Sequence, residues 1–68
     1  MIKSPFYREL CYEIDRCRTA LMRFQYELKK AKTDAERAVI QVKIDSANHV
    51  MEEYIIAKKA LDDHYSKE

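Results

Sequence analysis

Two heptad patterns that do not share a phase constrain this chain more than any other feature. In the first half Tyr7, Ile14, Leu21 and Leu28 recur every seven residues, interleaved with Leu10, Cys17, Phe24 and Ala31. These are the a and d positions at which one helix meets another. Carried onward, that register would put Asp45, His49 and Glu52 into an apolar seam. The second half is instead satisfied by Ile44, Met51, Lys58 and Tyr65 at a and Ile40, Ala47, Tyr54 and Leu61 at d, two residues out of step. A slip of this kind is expected where a chain doubles back. It argues against the alternative, one continuous helix paired with a second copy.

The turn itself is marked by Thr33-x-x-Glu36, which reads as a capping box: the threonine oxygen accepts the Glu36 N–H and the glutamate reaches back to the Thr33 N–H. Lys29, Lys30 and Lys32 suit the negative end of one helix, and Asp34 and Glu36 the positive end of the next. With no glycine in the chain, the first helix must end without the usual left-handed cap. Ser4-Pro5 reads as an N-cap followed by a proline whose missing N–H costs nothing there. The spacing therefore predicts an all-α antiparallel helical hairpin in a single domain over 1–68, with helix one about 5–31, a turn at 32–33 and helix two about 34–65. Residues facing each other across the seam should have numbers summing to about 65, pairing Leu21 with Ile44, Ile14 with Met51, Cys17 with Ala47 and Phe24 with Ile40. Lys58 then falls opposite Tyr7, its stem on the ring and its ammonium in water. Leu61 and Tyr65 project past the start of helix one, where Ile2 and Phe6 or another subunit must cover them.

A chain of 68 residues with one two-helix seam buries little apolar surface. Cysteine bridging offers no help, because Cys11 and Cys17 point in different directions from one helix. Without a signal-peptide pattern at the N-terminus, they read as reduced thiols of a cytoplasmic protein. The longest aliphatic or aromatic run, Tyr54-Ile55-Ile56-Ala57, is far too short to span a membrane. Further burial is expected from self-association. Helix two carries Val39, Val42, Val50, Ile55, Ile56 and Ala57 outside its seam, and so wide an apolar arc suits a homodimeric four-helix bundle.

Catalytic equipment is sparse. Cys17 lies in the seam and Cys11 beside it, while His49 and His64 have no signature context, so no nucleophile and base are brought together. Metal binding would fall to His49 with Glu52 or Glu53, or to Asp63 with His64; both sets face outward, and the inward Glu-x-x-His pairs of di-metal bundles are missing. Phosphate-cradling loops need glycine. No enzyme activity, metal or cofactor is expected.

Function is thus sought in the surfaces left over. Opposite the seam of helix one lie Tyr12, Thr19 and Tyr26, with Met22 alongside and Arg16 and Arg23 flanking. Tyrosine, methionine and arginine are enriched where proteins bind proteins. A non-catalytic regulator, adaptor or inhibitor using this face is the first expectation, and so small a chain also suits a phage or mobile-element product that blocks a host factor. Charge supports a second reading. Residues 1–32 hold eight basic and four acidic side chains, residues 33–68 five and eight. The two helices either attract each other or leave a basic face, Arg8, Arg16, Arg23, Lys29, Lys30 and Lys32, for RNA or DNA, with Tyr12 and Tyr26 as stacking platforms. Against nucleic acid stand Glu9, Glu13, Asp15 and Glu27 on the same helix. A third reading is a structural subunit whose apolar faces are consumed by a larger assembly.

Overall fold

A computed structural model describes residues 5–66, which form two helices, α1 over Pro5–Lys30 and α2 over Asp34–Ser66. They pack against each other as an antiparallel hairpin. Proline opens α1, as its fixed backbone angle allows; the Ser4 cap and Ile2 lie outside the described residues. Every a and d position of both heptads is buried or half-buried. Leu10, Ile14 and Ile44 are the most enclosed of these.

The turn spans residues 31–33, one residue longer than expected. Its chemistry explains the difference. The Ala31 N–H donates to the Leu28 carbonyl at 3.3 Å, so α1 tightens in its last turn and stops at Lys30. Half of the capping box forms as anticipated, with the Glu36 N–H donating to Thr33 Oγ1 at 3.1 Å. The other half is displaced by one residue: Glu36 Oε2 accepts from the Lys32 N–H at 3.1 Å, not from Thr33. Arg37 closes the turn, with Nη1 donating to the Ala31 carbonyl at 3.3 Å and Nη2 pairing with Asp34 Oδ1 at 2.9 Å. That guanidinium does for the end of α1 what a left-handed glycine does elsewhere, and no described residue adopts a positive φ.

At the open end the expected contact between Lys58 and Tyr7 is present, with the ammonium 5.4 Å from the ring centroid. Hydrogen bonds to Tyr7 and then to Asp62, whose carboxylate is 3.2 Å away, hold the Lys58 ammonium above its ordinary pKa. Tyr65 is covered by Tyr7, edge to face at 5.9 Å, rather than by Phe6, which is exposed. Ion pairs run along the helices. Arg16–Glu13, Arg18–Asp15 and Arg37–Asp34 join residues three apart, and Lys58–Asp62 residues four apart. Each of these four pairs lies within one helix.

The result is a rod of 53 × 15 × 13 Å with a radius of gyration of 15.7 Å. A compact domain of this length would have a radius of about 11 Å. Its accessible surface is 5586 Å², against about 4,500 Å² for a compact monomer of the same mass.

Candidate interaction surface

The outer face of α1 follows from the seam. With Leu10 and Ile14 turned inward, residues half a turn away point to solvent, and Tyr12, Met22 and Tyr26 are 62%, 72% and 58% exposed. Thr19, Arg16 and Arg23 are exposed on the same face. The structure thus brings the six partner-face residues into one strip. Tyr12, Arg16, Thr19 and Arg23, with Asp15 and Ala20, line a shallow depression.

Local contacts set what this strip offers. The Arg16 guanidinium carbon lies 5.9 Å from the Tyr12 ring centroid, and the Lys30 ammonium 4.5 Å from that of Tyr26. Each tyrosine is thereby stacked by the cation four residues on, which fixes the ring and takes part of its face. Arg16 is further tied to Glu13 at 3.3 Å, and the Thr19 hydroxyl donates to the Asp15 carbonyl at 3.1 Å. Arg8 and Arg23 carry no ion pair among the described residues. Of the basic set, Arg8, Arg16, Arg23 and Lys30 accompany the tyrosines, Lys29 lies toward one side, and Lys32 sits in the turn.

The apolar surplus of α2 divides. Val39, Val42, Val50 and Ile56 are exposed on its outward and one lateral side, with Ala57 half-buried beside them. Ile55 stands apart, lining a groove on the other side with Cys11 and Ile14 of α1 and Lys58 and Asp62 of α2. Both cysteines are half-buried and unbridged. His49 Nε2 lies 3.9 Å from Glu53 Oε1 on the exposed side of α2. Among the described residues no group of three or more His, Cys, Asp or Glu could hold a metal ion, and no helix is long and apolar enough to cross a membrane.

No family model, curated protein or solved structure matches this chain. The functional reading therefore rests on its own faces. One feature that sequence reasoning passed over is an open, mainly apolar groove at the hinge, where Tyr26 and Ala31 meet Ala35, Val39 and Ile40. It joins the tyrosine strip of α1 to the valine side of α2. The available signal was Ala35 and Val39, four apart on one helix. Arg37 was missed as well, since a residue six positions beyond the carbonyl it satisfies belongs to no standard capping motif.

Proposed function

We propose that this hairpin is a non-catalytic, self-associating interaction protein that regulates, adapts or inhibits another protein through the outer face of α1. One observation carries the reading: Tyr12, Met22 and Tyr26, large side chains of the kinds that anchor protein interfaces, lie more than half exposed on a face the hairpin does not use. The cations stacked on the rings reduce the freedom that Tyr12 and Tyr26 would lose on binding, which favours a preformed contact surface. The same stacking weakens the nucleic-acid reading, since bases would have to displace Arg16 and Lys30 from the rings. Self-association through α2 in a homodimeric four-helix bundle supplies the burial that one seam lacks, with Val39, Val42, Val50, Ile55, Ile56 and Ala57 as the candidate contacts.

The test is affinity capture with the native protein, followed by identification of a saturable protein partner and measurement of its affinity. Replacing Tyr12 and Tyr26 together by alanine should weaken that binding by roughly a hundredfold, the loss of two anchors of about 1–2 kcal/mol each, with helicity unchanged by circular dichroism. Binding that survives the double substitution places the partner elsewhere. Retention of RNA at physiological salt that disappears in Arg16→Glu with Arg23→Glu would replace the protein-binding reading by the nucleic-acid one.

A further inference from the structure

We infer that a second copy of this chain packs on one flank of the hairpin, a strip built jointly by Phe6 and Ala20 of α1 and Val39, Val50 and Ala57 of α2. This rests on the self-association reading and narrows it from one helix to one face made by both.

An antiparallel hairpin has two flanks, one on either side of the plane containing its helix axes. On one, the residues immediately before each a position of both helices come together, at steps of seven: Phe6, Glu13, Ala20 and Glu27 on α1, and Glu36, Lys43, Val50 and Ala57 on α2. The contacts agree with this assignment. Glu27 and Ala31 share a groove with Ala35 and Val39, and the Lys43 ammonium lies 5.9 Å from the Phe24 ring. On the other flank Cys11 and Arg18 share a groove with Ile55 and Asp62.

The two flanks differ in chemistry. The second is lined mainly by Arg18, Gln25, Gln41, Asn48 and Asp62, with Ile55 its one large exposed aliphatic among the described residues of α2. The first carries apolar or small side chains at intervals along its length, between Glu13, Glu27, Glu36 and Lys43. Taking cross-seam partners as numbers summing to about 65, they follow from open end to hinge as Phe6, Ala57, Val50, Ala20 and Val39. Phe6, Val39 and Val50 are exposed, and the two alanines leave room for a neighbouring helix to approach.

Area and charge indicate a second copy as the occupant. The chain exposes about 1,100 Å² more than a compact monomer of its mass, and a standard interface covers about 800 Å² on each partner. The flank bears Glu13 and Glu27 on α1 and Glu36 and Lys43 on α2, of which Glu13 is paired with Arg16 and Glu36 accepts from the Lys32 N–H. A two-fold axis along the rod lays α1 of one copy over α2 of the other along the whole flank, whereas a polyanion would meet its three carboxylates.

The experiment combines sedimentation equilibrium with isotope-filtered NOEs between labelled and unlabelled copies. Native protein at tens of micromolar is expected at twice the 8.1 kDa chain mass, with intermolecular NOEs at the methyls of Ala20, Val50 and Ala57 and none at Ile55. Ala20→Glu and Val50→Glu should each raise the dimer Kd by roughly tenfold or more, while Gln25→Glu and Asn48→Glu leave it within about twofold. Should a flank variant fail to fold, the NOEs on the native protein still decide. A dimer whose NOEs fall on Ile55, or only on Val42 and Ile56, overturns the flank and leaves self-association standing. A native monomer at that concentration overturns both.

Discussion

Arg37 and Lys58 show how single cations complete structures that the apolar pattern only begins. Arg37 spans the turn from Asp34 to the Ala31 carbonyl, and Thr33 caps the first free N–H groups of α2. Thr33→Ala should lower stability by about 1 kcal/mol, the usual cost of a lost N-cap, and Arg37→Ala by a smaller amount because its partners are exposed; thermal melts followed by circular dichroism measure both. Lys58 carries a pH dependence. Its folded pKa is raised above 10.5 by hydrogen bonds to Tyr7 and Asp62, so the stability it contributes is complete below that unfolded value and is lost as pH climbs through the higher folded one. Melting midpoints compared between native protein and Lys58→Met should keep a constant difference from neutral pH to about 9.5 and converge or cross above about 10.5. A difference that changes between pH 6 and 8 would mean another group is titrating with it.

At the scale of the helices, the hairpin predicts a short distance where a straight rod predicts a long one. Spin labels at Arg16 and Asn48, diluted with unlabelled protein, should lie within roughly 25 Å, since packed axes are about 8–10 Å apart; a continuous helix would separate them by about 48 Å. Seam packing can be graded as well. Ile14→Ala or Ile44→Ala, at buried positions, should cost about 2–4 kcal/mol, and Thr19→Ala, at an exposed one, within about 0.5 kcal/mol. This layer was legible in the sequence because heptad spacing is a direct record of which side chains meet: the two-residue slip located the turn, and the offset of about 65 brought Tyr7 to Lys58. The details of the turn were not legible. Whether Glu36 reaches Thr33 or Lys32 depends on where the last turn of α1 tightens, and whether Arg37 reaches the Ala31 carbonyl depends on the angle between helices, neither of which a pattern of residue types encodes. The candidate faces were half legible: periodicity put Tyr12, Met22 and Tyr26 on one strip, yet it treated each helix separately. It could not show that Tyr26 and Val39 border one groove, or that Ile55 parts company with the valines.

For the whole molecule, the elongation of the rod couples folding to association. Among the described residues, three well-buried aliphatic side chains, Leu10, Ile14 and Ile44, are a small core for a chain with a surface of 5586 Å², so much of the stability should come from whatever covers the exposed flank. If that cover is a second copy, unfolding and dissociation are one process and the melting midpoint depends on concentration. A tenfold increase changes the free energy by about 1.4 kcal/mol per dimer, or about 0.7 kcal/mol per chain, which for a domain of this size shifts the midpoint by roughly 3–6 °C. Melts at 2, 20 and 200 µM, values of the order suited to a micromolar dimer, should therefore rise in even steps, and Ala20→Glu should flatten the series. The tyrosine face makes a different prediction: Tyr12→Ala with Tyr26→Ala should reduce the slope of midpoint against concentration far less than Ala20→Glu does, because those rings border the flank, at Ala20 and at Val39, without lying on it. A slope abolished by the tyrosine pair and kept by Ala20→Glu would exchange the two faces, making the strip on α1 the dimer contact and leaving the valine flank for a different partner.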